Sequence, residues 1–126
     1  MLKTFVRVLL LAFATLCPLQ AQEQSDYVGL WWVSHGDGAP LQIRLYSDGR
    51  AWSDYPSNNP GRWEVREGRM VCLWADDWKE VFELKDGRAV KLGFRPGVDV
   101  DAPPSNVSKA VRGSSSPDGW FGSSRF

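Results

Sequence analysis

A tripeptide that recurs at a constant step is the feature that most constrains the fold of this chain. An acidic residue, a glycine and an arginine stand together at 48–50, 67–69 and 86–88, so each copy begins 19 residues after the one before. An acidic residue followed by Gly between alternating segments is typical of a tight β-hairpin turn, because Gly adopts positive φ freely and Asp tolerates it. The repeat therefore predicts three hairpins of similar length.

The first hairpin shows the alternation expected of a half-buried strand. Residues 41–46 read Leu-Gln-Ile-Arg-Leu-Tyr, with apolar and polar side chains in turn. A two-residue turn at Asp48-Gly49 would place Leu45 opposite Trp52, on the inner face of the sheet.

The second hairpin follows the same rule with one difference at its turn. Glu67 tolerates positive φ less well than Asp, which favours a three-residue loop with a bulge. The register pairs Trp63 with Cys72 and Val65 with Met70. We expect the side chains of each pair to pack against each other across the two strands.

The remaining segments complete an all-β chain. Residues 79–85 and 88–94 form the third hairpin, and residues 27–33 form a first strand. No convincing helix lies between these segments. An antiparallel up-and-down meander of about seven short strands is the simplest arrangement, curled strongly or closed into a small barrel so that its edges are hidden.

The chain divides into three parts. Residues 1–21 are predicted to be a signal peptide, residues 22–98 the β-domain, and residues 99–126 a tail rich in Pro, Gly and Ser. Within the tail, residues 105–112 are predicted to form a short helix capped by Ser105. The Gly/Ser-rich segment beyond it is expected to be disordered.

The first 21 residues carry the parts of an export signal. Lys3 and Arg7 form a positive flank, an apolar run covers residues 8–16, and Ala21 offers a cleavage site. The run is shorter than the ~20 residues that span a bilayer, so we expect no transmembrane segment in the mature chain. Cys17 raises a lipoprotein alternative, which the bulky residue before it disfavours. The protein is thus predicted to be exported, either periplasmic or secreted.

Cysteine and charge content restrict the mature domain further. Cys72 is its only cysteine and lies in the apolar run 70–74, so a buried thiol is favoured over a nucleophile. Loss of the two basic residues of the signal leaves 13 basic against 15 acidic residues. This balance gives no reason to expect nucleic acid or an anionic membrane as partner.

Gly29-Leu30-Trp31, at the start of the first strand, resembles the G-x-W signature of lipocalins and related calycin barrels. In that family an Arg beyond the last strand packs on the signature Trp and closes one end of the barrel. The resemblance therefore implies that Arg95 covers Trp31 through a cation–π contact. It also implies a barrel, although strands this short are expected to fill their interior with side chains.

Candidates for catalysis are few. His35 lies in a Gly-rich loop, and Asp76 and Asp77 lie together between two tryptophans. A hydrolase would use these three residues, but a solvated loop histidine and a polar turn are the favoured explanations. Neither zinc spacing nor a nucleotide fingerprint occurs, and the acidic pair at 99 and 101 lacks the rest of a calcium cage. We therefore expect no catalytic residue, no cofactor and no metal.

The tryptophans offer a second kind of site. A structural interpretation places in the core the rings of Trp31, Trp52 and Trp63. A functional interpretation is a platform that stacks on sugar rings or other flat ligands; its candidates are Trp32, Trp78, Tyr46 and Tyr55. The leading hypothesis is a non-catalytic exported β-domain that binds a small molecule or glycan through these rings. The alternatives are an interaction or inhibitor module acting on another exported protein, and the hydrolase.

Overall fold

The computed structural model describes residues 23–113 and shows a closed antiparallel barrel in which the strands follow one another in sequence order. The strands are β1 (Gly29–Ser34), β2 (Pro40–Leu45), β3 (Arg50–Ser53), β4 (Gly61–Arg66), β5 (Arg69–Leu73), β6 (Lys79–Lys85), β7 (Arg88–Phe94) and β8 (Asn106–Arg112). A short 3-10 helix, Pro56–Asn58, lies between β3 and β4. The prediction of an all-β antiparallel meander that closes into a barrel is confirmed.

The barrel has eight strands where seven were expected, because the segment predicted as a short C-terminal helix is β8. This strand pairs with β7 on one side and with β1 on the other. Without it, both neighbours would present unpaired N–H and C=O groups to solvent. Its inward residues include the small Ser108 and Ala110, so the apolar alternation that marks a strand is weak in the sequence. The predicted signal peptide and the predicted disordered end of the tail lie outside the described residues.

All three repeated tripeptides form hairpin turns. The longer turn, expected at the second hairpin, is found at the first. The second and third hairpins have two-residue turns, with Arg66 paired to Arg69 and Lys85 to Arg88. Both residues of each turn have positive φ, and Glu67 adopts +52°. At the first hairpin Leu45 pairs with Ala51 instead of Trp52. That turn therefore has one residue more than expected.

The connections divide by length between the two ends of the barrel. The three tight turns lie at the closed end, which residues 23–28 also cross. The four longer connections, residues 35–39, 54–60, 74–78 and 95–105, lie at the open end. A site built from loops is therefore expected only at the open end.

The closed end is sealed by Tyr27, Trp31 and Arg112. Tyr27 is buried and donates its hydroxyl to the carbonyl of Gly68 at 2.7 Å. The indole N–H of Trp31 donates to the carbonyl of Tyr27 at 2.8 Å. The arginine over the Trp31 ring is Arg112, with its guanidinium carbon 4.3 Å from the ring centroid. The prediction for Arg95 is thus corrected: Arg95 follows β7 at the open end and is exposed.

A second small cluster lies outside the barrel wall. Val71, Val81 and Phe94 point outward from β5, β6 and β7 and are nevertheless buried. Val98 and Val100 of the 95–105 loop pack against them. This cluster fastens the longest loop of the open end to the wall. Within residues 23–113 no helix combines the length and the hydropathy that crossing a bilayer requires.

Candidate binding site

A cavity of about 370 Å³ lies at the open end of the barrel, and we call it the open-end cavity. Side chains from the loops form its mouth, among them His35, Tyr55 and Trp78. Strand residues form its deeper wall, and these include Glu80 and Lys91. Its volume falls in the range of small-molecule sites, which are about 300–1,000 Å³.

The 54–60 loop is held over the cavity by hydrogen bonds to Ser53, a buried residue at the end of β3. The Ser53 hydroxyl accepts hydrogen bonds from the backbone N–H of Tyr55 at 3.0 Å and from the side-chain amide of Asn58 at 3.2 Å. The Asn59 side chain bonds to both backbone groups of Ser53. These bonds fix the ring of Tyr55 at the mouth, 5.0 Å from that of His35.

The 74–78 loop forms the facing side of the mouth. Asp76 accepts hydrogen bonds from the backbone N–H of Trp78 at 3.2 Å and from the hydroxyl of Ser57 at 3.4 Å. Trp74 begins the loop and turns its ring into the barrel over Gly61. A Cβ at that glycine would stand 2.4 Å from the Trp74 ring, so only glycine fits.

Glu80 and Lys91 point inward because of the register of β6 and β7. Glu80 lies on the same face of β6 as Phe82, and Phe82 pairs with Lys91 across the hairpin. Both charged residues are buried, with exposed fractions of 7% and 3%. Buried charges are rare unless paired, which makes them the most informative residues of the cavity.

Their hydrogen bonding is unequal. The Lys91 ammonium donates to the carbonyl of Ser34 at 3.0 Å and to the side-chain oxygen of Asn106 at 2.8 Å. Oxygen Oε2 of Glu80 has no hydrogen-bond partner although it is buried. Nitrogen Nε1 of Trp74, which lies beside the carboxylate but does not line the cavity, is also buried without a partner. An unsatisfied buried polar group costs about 1–3 kcal/mol, so the cavity holds unused bonding capacity.

Burial shifts the pKa value of each charged residue in the direction that favours its uncharged form. Desolvation raises the pKa of Glu80, and the positive charge of Lys91 opposes that rise. The Trp74 indole N–H also opposes it, although its nitrogen stands outside hydrogen-bonding geometry. Desolvation lowers the pKa of Lys91, which the charge of Glu80 opposes. Each charge therefore stabilises the other only in part.

Two of the four candidate stacking residues lie at the cavity. Tyr55 and Trp78 line its mouth. Tyr46 lies at the closed end beside the first turn, with the guanidinium of Arg50 5.0 Å from its ring centroid. Trp32 lies on the outer wall, because its neighbours in β1 point inward. The structure therefore does not gather the four rings into one platform.

Only some of the tryptophans that were predicted to lie in the core are buried. Trp31 and Trp63 are buried as predicted, and Cys72 is a buried free thiol. The prediction that Trp52 lies in the core is wrong: the ring is 40% exposed. The extra residue in the first turn shifts the register of β3 by one position, so the Trp52 side chain points to the outer face of the barrel.

The residues of the hydrolase hypothesis are only partly brought together. His35 and Asp76 both line the open-end cavity. Asp77 does not line it and has a φ of +69° within its turn. Residues 23–113 contain no group of three or more acidic, His or Cys side chains placed to hold a metal ion.

Sequence reasoning missed Glu80 and Lys91, although a signal for them exists. A two-residue turn at Asp86-Gly87 fixes the register of β6 and β7, and side-chain alternation then puts Lys91 on the face of Phe82 and Glu80. Charged residues are generally expected to face solvent, and for that reason the two side chains were not predicted to point inward.

A larger groove of about 1040 Å³ runs along β7 and β8 toward the closed end. Exposed apolar side chains such as Leu84 and Val107 line it. No buried charged side chain lies among its lining residues within the described part of the chain. The open-end cavity is thus the stronger candidate site.

The eight-stranded closed antiparallel barrel is consistent with a lipocalin-like small barrel. Comparison with known protein families, with curated proteins and with solved structures finds no match to this chain.

Proposed function

We propose that this chain is an exported, non-catalytic β-barrel of the lipocalin or calycin type that binds a small polar molecule in its open-end cavity. The observation that carries the proposal is Oε2 of Glu80, a buried atom in the cavity wall that has no hydrogen-bond partner among the described residues. An ionised carboxylate oxygen accepts hydrogen bonds. A ligand with a donor group would satisfy this oxygen and recover the cost of leaving it unpaired.

The rings at the mouth support the same proposal. Tyr55 is 43% exposed, and Trp78 is half-buried beside the cavity. Exposed aromatic rings next to buried polar groups are the usual composition of a small-molecule site. A sugar or another ring-shaped molecule would contact these side chains while its polar groups reach the deeper wall.

Ligand-observed NMR on the purified protein tests the proposal. The panel consists of monosaccharides, disaccharides, free amino acids, nucleosides and small organic acids. We expect at least one class to bind, and Trp78→Ala to weaken that binding about tenfold, because the ring provides contact area at the mouth. The spectra also report turnover, since products of a hydrolase would appear as new signals.

Trp52→Ala is the matched control, because it removes an equally large ring from the outer wall. It should leave binding unchanged. The proposal fails if no panel member binds, or if every hit binds Trp78→Ala as tightly as the unmodified protein. Accumulation of product that depends on Asp76 and His35 would instead favour the hydrolase.

A further inference from the structure

Lys91 holds a positive charge against one side of the open-end cavity. Its ammonium bonds to Ser34 at the end of β1 and to Asn106 at the start of β8. Asn106 reaches it because Gly93 leaves the space free: a Cβ there would stand 2.4 Å from the Asn106 side-chain oxygen. Both acceptors are uncharged, so the ammonium is held in place without a counter-charge in contact.

Glu80 holds a negative charge on the other side. It lies on β6 opposite Cys72 of β5, beside the indole of Trp74. Among residues 23–113, neither Glu80 nor Lys91 belongs to an ion pair. The bonds to β1 and β8 thus keep the ammonium away from the carboxylate.

In the described part of the chain, the other two acidic or basic side chains that line the cavity are Asp76 and His35. The two carboxylate oxygens of Asp76 accept the hydrogen bonds from Trp78 and Ser57. Nδ1 of His35 has no hydrogen-bond partner within that part, but it lies 3.4 Å from the Asp37 carboxylate on its own loop. One buried positive and one buried negative charge therefore remain for a ligand.

We infer that the open-end cavity binds a zwitterion, a free amino acid whose carboxylate pairs with Lys91 and whose ammonium pairs with Glu80. This inference rests on the proposed function and names its ligand class. A ligand with one charge would satisfy one of the two residues and leave the other unpaired in the wall. An uncharged ligand would leave both desolvated with only the partial compensation that each gives the other, which is the costliest arrangement.

The rings at the mouth indicate which amino acids fit. With both charged groups of the ligand at the deeper wall, its side chain extends toward Tyr55 and Trp78. An aromatic side chain gains the most contact there. Phenylalanine is therefore the probe of choice.

Isothermal titration calorimetry with four matched compounds tests the inference. L-Phenylalanine carries both charges, L-phenylalaninamide only the positive one, N-acetyl-L-phenylalanine only the negative one, and 2-phenylethanol neither. We expect L-phenylalanine to bind at least about tenfold more tightly than each of the others, since each lacks a buried charge partner.

Two variants should change the preference in opposite directions. Glu80→Gln removes the partner of the ammonium, so the N-acetyl compound should bind it as well as the free amino acid. Lys91→Met removes the partner of the carboxylate, so the amide should then equal the free amino acid. Each comparison is a ratio within one folded variant and does not depend on its stability. Glu64→Gln and Lys109→Met remove like charges from the outer wall and should leave all preferences unchanged.

The inference is overturned if L-phenylalanine does not bind at millimolar concentration, or if a singly charged or uncharged compound binds the unmodified protein as tightly. Binding of another panel class that depends on Trp78 would then leave the proposed function standing with a different ligand. Failure of the whole panel removes both.

Discussion

At the scale of single residues, Arg112 closes the barrel by two kinds of contact. Its guanidinium lies over the ring of Trp31 and donates hydrogen bonds to the carbonyls of Val28, at 2.7 Å, and of Asp26. The resemblance to G-x-W barrels implied such an arginine but assigned Arg95 to the role. The sequence predicts a helix where β8 lies, which makes β7 the last strand and Arg95 the arginine that follows it.

A double-mutant cycle measures this contact. Trp31→Ala should lower the free energy of unfolding by about 3–5 kcal/mol, as a large core deletion. Arg112→Ala should also destabilise the protein, and the two changes together should cost less than their sum. We expect a coupling energy of about 0.5–2 kcal/mol from urea unfolding of the four proteins, the range for residues in contact.

Arg95→Ala is the control for that cycle. Arg95 is exposed at the other end of the barrel, so its loss should add to that of Trp31 without coupling. Equal coupling for both arginines, or none for Arg112, would contradict the assignment.

At the scale of elements, turn length decides which face of a strand is inside. Asp48-Gly49 and Asp86-Gly87 are followed alike by Arg, yet only the latter forms a two-residue turn. At the first turn the Asp48 carboxylate accepts hydrogen bonds from the backbone N–H of Arg50 at 3.1 Å and from its guanidinium at 2.7 Å. With this longer turn, Ala51 instead of Trp52 faces the interior.

The tertiary structure explains this choice, and the local sequence does not contain it. The Trp74 ring already fills the barrel beside Gly61, and a Cβ at Gly61 would stand 3.3 Å from that of Ala51. A second tryptophan at this level would not fit. The repeat therefore predicted three hairpins and the registers of the second and third, but not the first.

The same limit applies to the candidate site. Tyr55 and Trp78 were accessible to sequence reasoning because exposed rings in turn-rich loops are unusual. Their position at one mouth depends on which end of the barrel each loop occupies. The register of the third hairpin places Lys91 beside Phe82, but its burial in the wall of a cavity depends on closure of the barrel by β8.

The register of the first hairpin can be tested by comparing two tryptophans. Trp63 is 4% exposed and its indole donates to the carbonyl of Tyr46 at 2.8 Å, so Trp63→Ala should cost about 3–5 kcal/mol of unfolding free energy. Trp52→Ala should cost less than about 1 kcal/mol, because its ring lies on the outer wall. Urea unfolding followed by circular dichroism measures both. Similar losses for the two variants would show that Trp52 is a core residue after all.

At the scale of the whole molecule, the barrel keeps two charges in its interior that lower its stability. The raised pKa of Glu80 means that its stabilising contribution is present below the ordinary pKa of 4.5 and is lost as pH rises through the raised value. The lowered pKa of Lys91 has the mirror effect, with stability lost as pH falls from 10.5 through the lowered value. Near neutral pH both residues therefore lower the free energy of unfolding.

Glu80→Gln combined with Lys91→Met should therefore yield a more stable barrel. We expect a gain of about 1–4 kcal/mol in unfolding free energy near pH 7, the range found when buried charged side chains are replaced by uncharged ones. The gain should shrink near pH ~4, where Glu80 becomes neutral in the native protein and its cost disappears. Urea unfolding at the two pH values measures this difference.

Other titrating groups are common to both proteins and cancel in the comparison. Those that act on Glu80 besides Lys91 are His35 and Asp76, and Cys72 faces it from β5. A variant that is less stable near neutral pH would show that the two charges support the fold. In that case their burial would need no ligand to explain it.

The pairing of β1 with β8 has a practical consequence for the described chain. Gly113 donates its backbone N–H to the carbonyl of Leu30, and Arg112 donates hydrogen bonds to carbonyls just before β1. The start of β1 and the end of β8 therefore lie side by side at the closed end. A short linker could join them while new ends are cut at the Asp86-Gly87 turn, which gives a circular permutant with an intact mouth. Immobilisation through either end would likewise point the cavity away from the support, an orientation well suited to a surface-bound sensor.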